Sequence, residues 1–339
     1  MGSQRIPELT ASRTSAYATI FRMAHDDAEG PAALLLTATV ARRYYLDGAT
    51  KRDIAADLDL SRFKVARLLE HARASGLVRI EFDPRGEFDL DLSLRLQAAH
   101  GLRHCIVLDG PDEDDDELLR TGLGRAAARL LTEIVGADDI LGLVWARSLL
   151  SMRSALQRLA PCTVVQLTGA LFRTDVDESS VELVRDVARL SGGPAHCFYA
   201  PMIVPDAATA RVMRTQPEIA RALDMSRQVT KAVVGVGAWQ EGLSTVADAV
   251  TEAERREGHE LGVRAEVGGI QIDAEGRPVA TSLTDRLISI DAECLRDVDD
   301  VIGLVYGAAK AEAVRAALRG GFVTSLVTHG AMARALLEP

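Results

Sequence analysis

The stretch Ile54-Ala55-Ala56-Asp57-Leu58-Asp59-Leu60-Ser61-Arg62-Phe63-Lys64-Val65-Ala66-Arg67-Leu68-Leu69 decides how the N-terminal part of this chain folds. Its apolar residues fall into two helical sets. Ile54, Ala55 and Leu58 share one face, and Val65, Leu68 and Leu69 repeat at i, i+3 and i+4. Asp59 lies between the sets, where the chain must turn, and the small Ala55 lets two helices cross closely. Thr50 or Lys51 starts the first helix. Ser61 carries the hydroxyl that caps the second, so Arg62, Phe63 and Lys64 are its first three side chains. Two short helices around a tight turn, the second presenting its N-terminal residues, form a helix-turn-helix that docks in the major groove of DNA. The candidate DNA-contacting residues are Thr50, Lys51, Ser61, Arg62, Phe63, Lys64 and Arg67.

Charge supports this reading. Between Val40 and Arg79 nine basic residues face five acidic ones, a balance of +4 in a chain of net charge -10. A basic island in an acidic chain is expected when one domain alone meets phosphates. A plain helical hairpin with a solvated basic face is the alternative.

Outward from this hairpin, Leu34 to Leu46 reads as a supporting helix. The second helix runs on to Ala74 and stops at Gly76. Leu77–Phe82 alternates like a strand and Asp83-Pro84-Arg85-Gly86 like a turn, which suggests a winged variant. Leu90 to His100, closed by Gly101, reads as a helix linking two domains or as a dimer contact. The expected division is a loosely ordered arm over 1–30, the helix-turn-helix over 31–86, a linker helix over 87–101, and a larger domain over 102–339.

Composition bounds the rest. The 339 residues are 47% hydrophobic and 26% charged, ordinary for a globular protein and long enough for two domains. No apolar run is long enough to span a membrane, and no charged-then-apolar leader opens the chain. Cys105, Cys162, Cys197 and Cys294 show no metal-ligand spacing and read as free thiols in a reducing cytoplasm. The acidic run Asp112–Glu117 lacks the alternation of a calcium loop and reads as a solvated surface. No cofactor, metal or membrane partner is expected.

Beyond His104 short apolar runs alternate with amphipathic helices. Strands are expected at Cys105–Leu108, Ile140–Trp145, Val164–Thr168, Ala195–Ala200, Ala232–Gly237, Ala265–Ile272, Arg286–Ile290, Val301–Val305 and Phe322–Thr328. Helices are expected at Glu117–Val135, Arg147–Leu159, Val181–Leu190, Thr245–Arg256 and Ala308–Leu318. The pattern predicts an α/β domain, a Rossmann-like parallel sheet covered on both faces, with ligands bound at the carboxyl ends of its strands. Four strand ends run into small-residue loops. These carry Trp145, Arg147 and Ser148; Gln166, Thr168 and Gly169; Gly237; and Gly307 with Lys310. Small residues admit a ligand to the backbone, and Lys310 and Arg147 add positive charge in the first turns of helices, which suits an anion. Each loop alone also reads as ordinary turn chemistry around a solvated cation.

Taken together, these stretches resemble the SorC family of bacterial transcriptional regulators. Leu60–Leu69, Val165-Gln166-Leu167-Thr168-Gly169, Tyr199-Ala200-Pro201, Val234-Gly235-Val236-Gly237 and Gly303–Lys310 carry the likeness, in the family's order and spacing. It covers the chain from about Ala38 onward. The resemblance implies a sugar-binding domain similar in fold to ribose-5-phosphate isomerase and glucosamine-6-phosphate deaminase, an effector that is a sugar, sugar phosphate or polyol, and a dimer or tetramer. The chain departs from the family at Trp145-Ala146, where the family has Trp-Gly. It also departs at Gly268-Gly269-Ile270 and Thr328-His329, two places that commonly carry a carboxylate. The reading is a DNA-binding regulator controlled by a small carbohydrate, plain or phosphorylated, acting on paired half-sites as a homo-oligomer. An isomerase-like enzyme with an appended DNA head is the alternative, disfavoured by the missing carboxylate base. A regulator that answers to a protein partner is a third.

Overall fold

The structure is a computed structural model that describes residues 30–79, 87–109, 116–171 and 179–338. The arm over 1–29, the turn at 83–86 and the start of the acidic run lie outside these residues. The chain separates into two compact units, Met1–Phe82 and Asp83–Pro339.

In the first unit three helices, α1 (Pro31–Tyr45), α2 (Lys51–Asp57) and α3 (Arg62–Ala74), surround one small core. That core is Leu36, Val40, Ala41, Ile54, Val65, Leu69 and Ala72, with Ala55, Leu58 and Leu68 packed at its edge. Both expected helix starts are built. The Thr50 hydroxyl accepts the Asp53 N–H at 3.2 Å, and the Asp53 carboxylate accepts the Thr50 N–H at 3.3 Å, a reciprocal cap. The Ser61 hydroxyl accepts the Lys64 N–H at 3.1 Å. Asp59 takes φ +52° at the turn, a conformation Asp tolerates better than most residues. An Arg43–Asp57 ion pair at 2.5 Å ties α1 to α2. Leu77 and Val78 form a bend and Arg79 is irregular, so none of the three is in a strand, and the rest of the expected wing strand, 80–82, lies outside the described residues.

The second unit opens with α4 (Leu90–His100), the helix expected as a linker. It is part of this unit's core through Leu92 and Leu96, and its Ser93 hydroxyl accepts the Val107 N–H at 2.9 Å. A seven-stranded, wholly parallel sheet follows, in the order β1-β10-β9-β5-β2-β3-β4. Its strands are β1 (Cys105–Leu108), β2 (Ile140–Leu143), β3 (Thr163–Gln166), β4 (Ala195–His196), β5 (Lys231–Val234), β9 (Asp300–Leu304) and β10 (Ser325–His329). Uninterrupted apolar strands belong in such a sheet because helices cover both faces. The expected run Ala232–Gly237 breaks at Gly235, so that β5 stays in the large sheet and β6 (Val236–Ala238) starts a second one.

That second sheet is antiparallel, β6-β7-β8, with β7 (Ala265–Val267) and β8 (Ile270–Ile272). The single strand expected over Ala265–Ile272 is therefore a hairpin. Gly268 and Gly269 sit at φ +58° and +89°, the paired positive values a two-residue hairpin turn demands. A separate apolar core of Met202, Trp239, Val246, Ala247, Val250, Val263, Leu283 and Leu287 supports this lobe. The Trp239 indole N–H donates to the Arg255 carbonyl at 3.1 Å. Arg286–Ile290, expected as a strand, forms only isolated bridges at Leu287 and Ser289. The helix expected over Thr245–Arg256 is two, α10 (Thr245–Ala249) and α11 (Glu252–Glu260), because Thr251 recaps the chain on Glu254.

Candidate functional site

The strand order of the large sheet reverses between β2 and β5: β3 and β4 continue to one edge, β9, β10 and β1 to the other. The carboxyl ends of strands at such a reversal splay their loops apart and leave a crevice. A cavity of about 210 Å³ lies there, walled by the loops after β2, β5 and β9 and roofed by the β6-β7-β8 lobe.

Of the residues expected at an effector site, Trp145, Arg147, Ser148, Thr168, Gly237, Gly307 and Lys310 line this cavity. Arg147 opens α6 (Arg147–Ala155) and is half-buried. Thr168 is buried, and its hydroxyl accepts the Trp145 N–H at 3.2 Å. The Ser148 hydroxyl donates to the Leu304 carbonyl at 3.0 Å, locking the β2 and β9 loops together. Lys310 ends a short 3-10 turn, Ala308–Lys310, that precedes α13 (Ala311–Arg319), so the expected continuous helix from Ala308 begins as 3-10. The Lys310 ammonium lies 4.8 Å from the centre of the Tyr306 ring. Gly307 takes φ +86°, and its N–H donates to His329 Nε2 at 3.1 Å, so this amide holds a buried histidine.

Gln166 and Gly169 are not on the cavity wall. The Gln166 amide is wholly buried and spent inside the protein. It donates to the Thr168 carbonyl at 2.9 Å and to the Ser180 hydroxyl at 3.1 Å, and accepts the Phe198 N–H at 3.1 Å. Gly169 is small because a β-carbon there would stand 2.7 Å from the Met202 nitrogen.

The sequence reading missed Ser244, Asp248, Glu266 and Tyr306, which also face the cavity. Glu266 matters most. It projects from the middle of β7, 6% exposed. Its carboxylate accepts the Ser244 hydroxyl at 2.9 Å and the Gly269 N–H at 3.0 Å. Burial pushes its pKa above the ordinary carboxylate range, against the opposing pull of that N–H, that hydroxyl and the positive charge of Lys310. A carboxylate is thus present in the cavity although positions 269 and 329 lack one. Gly237, opposite Glu266 in the β6–β7 register, makes room for it, since a β-carbon at 237 would lie 2.4 Å from Glu266 Oε1. A single acid inside an otherwise apolar strand was the signal available in the sequence.

In the first unit Arg62, Phe63, Lys64 and Arg67 are all exposed on α3, while Val65, Leu69 and Ala72 are buried. Thr50, Lys51 and Arg62 share a shallow hollow with Tyr44, over whose ring Lys51 sits at 5.7 Å. No helix among the described residues is long and apolar enough to cross a membrane.

Residues 85–338 match the model of the Sugar-bind family, a sugar-binding domain. The chain is 29% identical over 301 residues to the transcriptional regulator YjhU of Escherichia coli K12, covering 87% of this chain and 92% of that one. It is 27% identical over 299 residues to the erythritol catabolism regulatory protein EryD of Brucella abortus, covering 87% and 93%. The full-length sorbitol operon regulator SorC of Klebsiella pneumoniae shares the fold, with a TM-score of 0.70 at 21% identity over 90% of this chain and 99% of that one. The family model and these relatives define a DNA-binding transcriptional regulator controlled by a carbohydrate. The chain belongs to the SorC family of sugar-binding regulators.

Proposed function

We propose that the cavity at the strand-order reversal receives the effector, and that the effector is a small polyol or sugar with an anionic end. The observation that carries this is the meeting of Arg147 and Lys310 with a buried carboxylate, Glu266, on the wall of one cavity. Cations suit a phosphate, and a carboxylate with lone pairs to spare suits hydroxyl hydrogens. EryD is named for erythritol and SorC for a sorbitol operon, so a polyol or its phosphate is the first class to try. The parallel sheet also suits the likeness to ribose-5-phosphate isomerase and glucosamine-6-phosphate deaminase. Yet both Glu266 oxygens already accept protein hydrogens, and the relatives are named as regulators, which favours binding without turnover.

On the DNA side, Arg62, Phe63, Lys64 and Arg67 meet the major groove, with Thr50, Lys51 and Ser61 at the flanking phosphates. Helix-turn-helix heads gain register from paired half-sites, so the working form is a homo-oligomer, in the cytoplasm with its DNA. The test is calorimetry with tetritols, pentitols, pentoses and their phosphates on wild type and Lys310→Ala. Loss of a charge-assisted contact is expected to weaken the phosphorylated effector roughly ten- to a hundredfold. Equal affinity of both proteins for a ligand that alters DNA binding would remove Lys310 from the site.

A further inference from the structure

Phe63 is the most exposed large apolar side chain among the described residues, 84% accessible. It is the second residue of a helix whose start is fixed by the Ser61 cap, so its position is built rather than frayed. On the helical wheel it lies opposite the buried stripe Val65, Leu69 and Ala72, on the same outward line as Arg67 four residues on. Helical side chains lean toward the N-terminus, which sends this ring to the end that a recognition helix inserts. Arg62, Lys64 and Arg67 surround it, all exposed. A phenyl ring among cations, at the tip of the helix, has no folding role in its own unit.

We infer that Phe63 reads sequence, by packing against the C5-methyl of a thymine in the major groove. The methyl is the one apolar feature that base edges present there, and phenylalanine is among the side chains that contact it. The neighbouring cations supply affinity that is largely indifferent to sequence, whereas the ring supplies discrimination at one base pair. This inference rests on the DNA-reading face proposed above and names what one of its residues recognises.

The experiment selects duplexes from a random pool with the full-length protein, then replaces each thymine of the selected sequence, one at a time, by deoxyuridine. That change removes only the methyl. At one thymine per half-site, wild type is expected to lose affinity about fourfold, the value of one buried methyl-sized group. Phe63→Ala is expected to be indifferent to the same replacement, and Phe63→Leu to keep part of the effect. Equal deoxyuridine losses in wild type and Phe63→Ala, or no thymine whose methyl matters, overturn the inference. So does a uniform loss across selected and scrambled duplexes in a Phe63→Ala protein whose circular dichroism melt matches wild type. If wild type enriches no sequence at all, the DNA-reading face itself fails, which is a different result.

Discussion

Glu266 shows how much one residue can organise. Its carboxylate needs the glycine at 237 for space, the Gly269 N–H and Ser244 hydroxyl for hydrogens, and Lys310 for charge. Gly237→Ala drives a β-carbon into that carboxylate and into Ser244. It should destabilise the second unit by about 1–3 kcal/mol, as overpacking does, and displace Glu266. Chemical denaturation of the full chain measures it, and an unchanged midpoint would contradict the packing. A pH test follows from the raised pKa. A carboxyl with a higher pKa folded than unfolded favours the native state while protonated. That contribution is complete below the unfolded value and is lost as pH rises through the folded one. Ligand-free Glu266→Gln cannot ionise, so its melting temperature relative to wild type should climb as pH rises from about 4 to about 8. Melting curves that stay parallel across that range would contradict burial of the charged form. The residue was passed over because one strand was read through the Gly268-Gly269 turn, which left the acid as a single polar position in a long run. Arg147 and Lys310 were legible because a cation just after a strand end has few places to go but the crevice.

At the scale of elements, legibility followed the strength of local signals. Ser61 capped α3 as expected, and Cys105–Leu108 is a strand over the residues that its apolar run marked. Where tertiary packing overrode local pattern the reading slipped. Arg286–Ile290 is a short apolar run expected as a strand, yet it bridges Thr168 and Ile203 singly in place of joining a sheet. α8 (Ala207–Arg214) and α9 (Pro217–Ser226) went unread, although Asp206 caps the first and Pro217 opens the second. Leu90–His100, expected as a linker helix or a dimer contact, places Leu92 and Leu96 in the core beside β1. The α3 helix offers the sharpest test at this scale. Ser61→Ala removes the one side-chain acceptor at the start of α3 and should cost that helix about 1 kcal/mol. Faster hydrogen exchange of the α3 amides, with exchange in the large sheet unchanged, is the expected reading. Uniform exchange in both units would mean the cap does not set α3 stability.

For the molecule as a whole, the proposed function gives the two compact units the two halves of a switch, each proposed from its own chemistry. What couples them was not legible in the sequence, since periodicity within an element says nothing of how one unit biases another. The effector controls DNA binding only if it favours one arrangement of the DNA heads over another, so tight binding alone shifts nothing. Paired heads require at least a dimer, and light scattering of the full chain at micromolar concentration should report a mass well above the 36.4 kDa of one chain. A monomer with and without DNA would contradict that. The most direct measurement of the central claim is fluorescence anisotropy of a selected DNA duplex with the full-length protein, titrated with polyols, pentoses and their phosphates, for wild type and Lys310→Ala. The account predicts at least one ligand that changes DNA affinity of wild type several-fold, with the change lost or moved to much higher ligand concentration in the variant. A response of equal size at equal ligand concentration in both proteins, or no response to any carbohydrate, would contradict it.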